Sequence, residues 1–313
     1  MTAPDVSIVI PCYNAERFVA QAIQSALDQG PNVEVIVVDD GSTDGSLDVI
    51  KSFGDRIHWR TGPNRGACSA RNDGLALAHG EFVFFLDADD WLAGGAIQNA
   101  LTERHRAEVD LRIGFIDFLD ARTPKSWGEL PYHSLMDILD GWISGRLRLG
   151  TGAFIWRRGF LLGIGGWNKY LLQKQDLELF AWAMQSIKSF EMIDTALIYH
   201  RRGHSPNQIT ARKDQACMRS HIDAVTMRMK HARATSENVG LGKFAYFAAR
   251  DAFRHGFEEE GGQALALARC LGFAGHSGSA AHTIAATLLG LRRKERIAVK
   301  LRPPKNARRR AAV

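Results

Sequence analysis

The N-terminal part of the chain alternates between short β-branched segments and amphipathic segments, and this alternation constrains the fold more than any other feature. Strands are predicted at residues 6–10, 34–38, 57–60 (the weakest signal) and 81–86, with helical patterns between them. Parallel strands separated by helices of this length are joined by right-handed crossovers. The sequence therefore predicts an α/β fold, with a mostly parallel sheet flanked by helices.

The pattern loosens towards the middle of the chain and becomes helical near the end. Further elements are predicted at residues 109–118 (strand), 152–157 (strand), 176–186 (helix) and 192–199 (extended). Beyond about residue 208 the signals are helical almost throughout. We therefore predict an α/β domain over residues 1–205 and an α-helical C-terminal region over residues 206–313.

Composition narrows the class of protein. Hydrophobic residues make up 45% of the chain and charged residues 24%, which is typical of a globular protein. The four cysteines are far apart and form no Cys-x-x-Cys pair, which disfavours a disulfide framework or a cysteine metal site and predicts a reduced, cytoplasmic protein. We expect neither a signal peptide nor a membrane span, because the first residues lack the signal-peptide pattern and the apolar runs are too short to cross a bilayer.

Positive charge is concentrated in a tail at residues 292–310. This tail has ten Lys or Arg residues and one Glu, a local charge of +9, which leaves −3 for the rest of a chain whose net charge is +6. It is predicted to be helical as far as Leu301, where Pro303 and Pro304 follow. Two interpretations of the tail are open. It contacts an anionic membrane surface, with a gain of about 1 kcal/mol per basic residue, or it is solvated and disordered. Because the remainder is acidic, no nucleic-acid partner is expected.

Polar side chains follow three of the predicted strands. The carboxyl ends of parallel strands meet at one edge of a sheet, where ligands bind in open α/β folds. Carboxylates gathered there repel one another unless a cation compensates, and Mg²⁺ or Mn²⁺ suits oxygen ligands. For residues 39–42 a simple turn or helix cap is an equally open interpretation. The residues in question are Pro11, Tyr13, Asn14, Asp39, Asp40, Asp87, Asp89 and Asp90.

Taken together, these segments resemble the family-two glycosyltransferases, which have the GT-A (Rossmann-like) fold. The resemblance covers about residues 5–205 and is specific because five weak motifs occur in the family's order. The donor-side motifs are residues 6–14, 37–46, 64–66, 70–72 and 85–91, and the acceptor-side motifs are Gly152, Arg157-Arg158, residues 165–167 and residues 175–179.

The resemblance implies a nucleotide diphosphate sugar as donor. Tyr13 would pack against the nucleobase and Asp40 would accept a hydrogen bond from a uracil imide, which favours a UDP-sugar. Asp89 would bind Mn²⁺ or Mg²⁺ on the diphosphate, and His200 is a further candidate ligand. A surface role for His200 and Arg201, and a solvated position for Arg71, are the alternatives. The other implied donor contacts are Pro11, Asn14, Arg71 (diphosphate), Asp87 (ribose or metal), Ala88 and Arg201.

The resemblance also implies that Asp176 is the general base of an inverting, non-processive transfer to a saccharide or lipid-linked acceptor in surface polysaccharide or glycan synthesis. The family more often has Glu-Asp at this point, whereas this chain has Gln175 before Asp176. Asp176 as a helix cap is the alternative. Because Gln175 stands where the family more often has an acid, a catalytically inactive protein that binds a nucleotide sugar is the alternative function. A nucleotidyltransferase is disfavoured because no glycine-rich, lysine-bearing phosphate loop is found near the N-terminus.

Overall fold

The computed structural model describes residues 3–101, 108–118, 133–201, 213–231, 238–276 and 280–301. The chain forms two compact units. The sheet unit comprises Met1–Tyr132, Arg148–Lys169 and Ser186–Pro206, and the helical unit comprises His133–Leu147, Tyr170–Gln185 and Asn207–Val313. The helical unit thus takes in two segments that the sequence analysis assigned to the N-terminal domain, and the boundary at residue 205 stays a prediction.

An eight-stranded sheet forms the sheet unit, in the order β3-β2-β1-β4-β7-β6-β8-β5 among the described residues. Its strands are β1 (Val6–Cys12), β2 (Val33–Asp39), β3 (His58–Thr61), β4 (Phe82–Phe85), β5 (Trp91–Leu92), β6 (Leu111–Phe118), β7 (Phe154–Arg157) and β8 (Phe190–His200). β1 pairs in parallel with β2 and β4, β2 with β3, and β6 with β8. β7 is antiparallel to β4 and β6, and β5 to β8. The α/β fold is confirmed; the sheet is parallel in its first half and mixed in its second, because β7 enters in the opposite direction.

β1 is the central strand of the parallel half, and all seven of its residues are buried. A strand covered on both faces needs a nearly continuous apolar sequence, as this one has. Its only hydroxyl side chain, Ser7, donates to Glu34 and accepts from the Gly80 amide. On one face, Gly74 packs so closely that a Cβ there would lie 2.3 Å from Val9 Cγ1. The position of β1, and of the residues that follow it, is therefore fixed by packing.

The helices of the sheet unit are α1 (Val19–Leu27), α2 (Ser46–Lys51), α3 (Ala67–Leu77), α4 (Ala96–Ala100) and α6 (Arg158–Gly163). Asn14 does not cap the helix that follows it, because α1 begins at Val19. Asn14 instead has a left-handed backbone, with φ 49°, and its Oδ1 accepts a hydrogen bond from the Thr43 amide at 2.7 Å. A side chain that bonds across to another loop is not available to cap its own helix.

The helical unit contains α5 (Leu135–Ser144), α7 (Gln175–Ala183), α8 (Gln215–His231), α9 (Val239–His255), α10 (Glu258–Cys270), α11 (Ala280–Leu289) and α12 (Leu291–Leu301). Among its described residues, α9 has the largest number of buried positions, eleven. The prediction that the tail is helical as far as Leu301 is confirmed, and residues 302–310 lie outside the described residues. Within the described parts of the chain, none of the helices combines the length and the apolar character needed to span a membrane.

Candidate functional site

The carboxyl ends of β1, β2 and β4 lie side by side at one edge of the sheet. The register that pairs Cys12 with Asp39, and Val9 with Phe85, brings the polar segments after these strands together. Pro11 is still part of β1 and is buried, whereas the side chain of Tyr13 is 50% exposed. An exposed ring at this edge offers an aromatic face to a planar ligand.

Asp40 anchors the loop that enters α3. Its two carboxylate oxygens accept hydrogen bonds from the backbone amides of Arg65 and Gly66, each at 2.8 Å, and the side chain is almost fully buried. Its neighbour Asp39 accepts a hydrogen bond from Thr61 Oγ1 at 2.6 Å, which joins the ends of β2 and β3. Each oxygen of Asp40 retains a second acceptor position, so the predicted contact with a nucleobase is compatible with this arrangement.

The turn after Asp40 is closely packed, and only glycine fits at its centre. Gly41 has φ 74°, and a Cβ there would lie 2.8 Å from the Asn64 amide nitrogen. The turn is also tied to the end of β1, because the Asn14 amide donates to Ser42 Oγ at 3.0 Å. The segment that carries Asp40 is therefore held from both sides, which favours a rigid binding surface.

Arg71 and Asp87 form an ion pair beneath this edge. Arg71 Nη2 donates to Asp87 Oδ1 at 2.7 Å, and the arginine is 5% exposed. Its guanidinium carbon lies 4.5 Å from the ring centroid of Trp167, a cation–π geometry. Asn72 holds Trp167 in place, since it donates to the Trp167 carbonyl and accepts from the Trp167 amide. The alternative of a solvated Arg71 is wrong, because the side chain is buried between a carboxylate and an indole.

Trp167 is the residue of this network that the sequence analysis assigned to the acceptor side. In the structure it belongs to the sheet unit and packs edge-on against Phe85, with ring centroids 5.1 Å apart. Its neighbour Gly166 has φ 60°. No local sequence signal links this tryptophan to α3, since the two are nearly one hundred residues apart.

Asp90 joins the end of β8 to the segment after β4. Its Oδ2 lies 2.9 Å from His200 Nδ1, and its Oδ1 accepts from the Arg201 amide at 2.9 Å. Burial raises the pKa of the Asp90 carboxyl against the opposing effect of His200. For His200, burial lowers the pKa, but the hydrogen bond and charge of Asp90, with the charges of Asp87 and Asp89, raise it above its ordinary value. The four side chains thus share one electrostatic environment.

Arg201 is held firmly in the same region. Its guanidinium carbon lies 4.8 Å from the ring centroid of Phe18 and 4.9 Å from that of Trp91. It also donates to Gln21 Oε1 at 2.7 Å and to the Asp89 carbonyl at 3.2 Å. Ala88 is buried in the segment that Arg201 contacts. A guanidinium fixed between two rings adds positive charge to an edge that is otherwise rich in carboxylates.

The predicted metal ligands have the right chemistry but do not form a complete site. Among the described residues there is no group of three or more His, Cys, Asp or Glu side chains that could hold a metal ion. Asp89 and His200 do lie within electrostatic range of each other. Asp90 contacts His200 at its Nδ1 atom. In metal sites, a carboxylate at one ring nitrogen orients the histidine so that the other ring nitrogen can bind the metal. These two residues therefore fit an ion that takes its remaining ligands from a bound diphosphate.

Asp176 lies in the helical unit, at the start of α7. It lines a hollow of about 230 Å³, and its Oδ1 accepts a hydrogen bond from the Leu177 amide at 2.9 Å. Lys174, two residues before Asp176, has a left-handed backbone, with φ 55°, and its ammonium lies 4.5 Å from the ring centroid of Phe247. Burial lowers the pKa of this lysine. The residues that line the hollow are Trp142, Ile143, Gln173, Lys174, Asp176, Leu177 and Phe247.

No sequence pattern indicates the aromatic and cationic walls of this hollow. Trp142 and Phe247 come from α5 and α9, far from Asp176 in sequence. The pattern around each is typical of an ordinary core residue in an amphipathic helix. Only the Lys-Gln-Asp run at the start of α7 could have drawn attention to Lys174, and nothing in it signals a left-handed residue.

Comparisons with known proteins agree with the fold and the motifs. Residues 7–160 match the model of "Glycosyl transferase family 2". The succinoglycan biosynthesis protein ExoU of Rhizobium meliloti is 32% identical over 206 residues, which cover 60% of this chain and 59% of that protein. An "Uncharacterized glycosyltransferase" of Haemophilus influenzae is 41% identical over 125 residues, covering 38% of this chain and 50% of the relative. The chain thus spans between half and three fifths of these two relatives.

A solved structure extends the agreement beyond the matched residues. The crystal structure of S. aureus TarS residues 1–349 in complex with UDP-GlcNAc superposes with a TM-score of 0.64 at 20% identity, covering 84% of this chain and 79% of that one. At this identity the likeness shows the fold. Together with the motifs that surround Tyr13, Asp40 and Asp87, the family match identifies residues 7–160 as a family-two glycosyltransferase domain, in a chain that has the GT-A fold.

Proposed function

We propose that the protein is an inverting, non-processive glycosyltransferase that moves a sugar from a UDP-sugar to a saccharide or lipid-linked acceptor in surface polysaccharide or glycan synthesis. The observation that carries the proposal is the convergence of Tyr13, Asp40, Asp87 and the Asp90–His200 pair at the carboxyl edge of β1, β2 and β4. This edge is where an open α/β sheet binds its ligands. A relative named for succinoglycan biosynthesis and a neighbour solved with UDP-GlcNAc support the substrate class.

In this proposal the sheet unit binds the donor. The exposed ring of Tyr13 stacks on the base, and Asp40 accepts the imide hydrogen bond while its backbone contacts keep the carboxylate in place. Asp87, oriented by Arg71, contacts the ribose. The predicted direct contact of Arg71 with the diphosphate, and those of Pro11, Asn14, Ala88 and Arg201 with the donor, stay predictions.

Asp89 and His200 would hold Mn²⁺ or Mg²⁺ in the loaded enzyme. When bound, such an ion would neutralise negative charge on the departing nucleoside diphosphate. The chain's own contribution is to orient these ligands, through the contact between Asp90 and His200 and through the Arg201 contact with the Asp89 carbonyl. Metal dependence is part of the proposal and is tested separately from sugar transfer.

Asp176 is the proposed general base. It takes the proton of the acceptor hydroxyl while the oxygen of that hydroxyl forms a bond to the anomeric carbon. The bond from that carbon to the diphosphate breaks on the opposite face, which inverts the configuration. Within the helical unit, Trp142 and Phe247 give the hollow around Asp176 the aromatic walls that suit the apolar face of a sugar ring.

The test is release of UDP from UDP-glucose, UDP-galactose and UDP-GlcNAc, with and without Mn²⁺, in the presence of a panel of p-nitrophenyl glycosides. We expect release with at least one donor, and a loss of two or more orders of magnitude in Asp176→Asn with UDP binding retained. Binding of a UDP-sugar without release by the wild type in any combination would favour the inactive binding protein that Gln175 leaves open.

A further inference from the structure

Helix α11 exposes an apolar face on the surface of the helical unit. Ile284 and Leu288 are four residues apart, so they lie on the same side of the helix, and they are 61% and 78% exposed. The opposite side carries His282 and Ala286, both of which are buried. Large apolar side chains with this much exposure, grouped on one helix, mark an interaction surface and not a core.

The following helix, α12, exposes a basic face. Arg292, Arg293 and Arg296 point outwards, together with the partly exposed Ile297. Arg292 and Arg296 both contact Glu258, the latter at 2.9 Å, so one carboxylate faces two guanidinium groups. Their side chains remain 58% and 60% exposed despite these contacts. The outer surface of α12 therefore keeps a positive charge available to a partner.

A buried carboxylate fixes which side of α12 faces outwards. Glu295 is fully buried and accepts hydrogen bonds from Arg250 at 3.3 Å, Arg254 at 3.1 Å and Lys294 at 2.8 Å. Burial alone would raise its pKa, but the hydrogen bond from Lys294 and the charges of Arg254, Lys294 and Arg250 lower it. Rotation of α12 would take this charge away from its partners, which is costly for a buried ion. The basic face is thus held in a single orientation.

We propose that the α11–α12 pair docks on the surface of an anionic lipid bilayer. These two consecutive helices contact each other, and one exposes apolar side chains while the other exposes arginines. Both chemistries are used by helices that lie in a membrane interface, where apolar side chains enter the acyl boundary and arginines meet lipid phosphates. A second copy of this chain would place like charges against one another, and a nucleic acid would leave Ile284 and Leu288 without a partner. The lipid surface is the occupant that uses both faces.

Sedimentation of the full chain with vesicles tests the proposal. Vesicles of phosphatidylcholine mixed with phosphatidylglycerol should bind the wild type, and vesicles of phosphatidylcholine alone should bind it at least about tenfold more weakly. The double variant Ile284→Ser/Leu288→Ser, and separately Arg293→Gln/Arg296→Gln, should each reduce binding to the anionic vesicles by about tenfold or more. Leu162→Ser is the matched control, since Leu162 is 45% exposed in the sheet unit; it should bind as the wild type does.

Three results would overturn the proposal. One is no binding of the wild type to either vesicle, and another is equal binding by the wild type and both double variants. The third is a concentration-dependent dimer that the Ile284→Ser/Leu288→Ser change abolishes, without vesicle binding. Far-ultraviolet circular dichroism should be unchanged in all variants, because the altered side chains are exposed. Neither donor nor acceptor is present, so the outcome is independent of the proposed sugar transfer.

Discussion

Loss of the Arg71–Asp87 ion pair should destabilise the sheet unit by an amount that the geometry allows us to estimate. Arg71 donates to Asp87 at 2.7 Å and its guanidinium also packs on Trp167. Replacement by methionine keeps an unbranched side chain over the indole and removes the charge. Replacement of Asp87 by asparagine removes the partner charge with little change of shape.

The expected coupling between the two changes is about 1–2 kcal/mol. A hydrogen bond between charged groups contributes roughly 1.5–3 kcal/mol when it is well formed. The Arg71 side chain is 6% exposed, but that of Asp87 is 36% exposed, so solvent screens one side of the pair. We therefore expect a value near the lower end of that range.

The assay is a double-mutant cycle in urea, with wild type, Arg71→Met, Asp87→Asn and the double variant. The Arg157–Glu81 pair of the same unit is the matched control, since it is also 2.7 Å long but its carboxylate side chain is 59% exposed. A cycle with Arg157→Met and Glu81→Gln should give less than about 1 kcal/mol. A coupling below about 0.3 kcal/mol for Arg71 and Asp87 would refute the reasoning.

The UDP dissociation constants of the wild type and the same three variants test how Arg71 acts on the donor. If Arg71 works by orienting Asp87, Arg71→Met should weaken UDP binding in the wild-type background and have little effect once Asp87 is asparagine. Additive losses in the UDP dissociation constant would instead support the direct diphosphate contact that the sequence predicts.

Two further predictions concern the helical unit. Burial, with the charges of Lys174 and Lys213, lowers the pKa of His221 to about 4. The unfolded chain takes up this proton near 6.5, so stability is fully present above that pH and falls by about 3 kcal/mol as the pH drops towards 4. His221→Phe should lose correspondingly less over this range in pH-dependent unfolding, and equal losses would contradict the assignment. Glu178→Ala should cost about 3–5 kcal/mol in urea unfolding, because it strands the buried Arg228, which donates at 2.9 Å. Met at both positions should recover most of the loss, and a cost below about 1 kcal/mol would be the contrary result.

The first half of the sheet could be predicted from the sequence because each strand is a continuous apolar run that ends at a polar turn. β1, β2 and β4 are found within two residues of the predicted bounds. Their carboxyl ends share one edge because parallel register requires it, so the grouping of Asp40 with Asp87 follows from topology. Periodicity carries this kind of information directly.

Other features depend on contacts between distant segments and could not be predicted. The partner of Arg71 was left open, because nothing local says that Trp167 closes over it. Asparagine is a common helix-capping residue, yet the side chain of Asn14 bonds to the turn after β2. The hollow around Asp176 needs α5 and α9 in addition to α7. In each case a tertiary contact decides among local conformations of similar free energy.

The central claim is that acidic side chains at the edge of the sheet unit bind a nucleoside diphosphate together with a divalent ion. Isothermal titration of UDP into the protein, with and without Mn²⁺, measures this directly, with Asp89→Asn as the test and Asp55→Asn, an exposed carboxylate of the same unit, as the control. We predict that Mn²⁺ strengthens UDP binding at least about tenfold in the wild type and in Asp55→Asn, and has little effect in Asp89→Asn. The same Mn²⁺ enhancement in Asp89→Asn as in the wild type, or no UDP binding at all, would contradict the account.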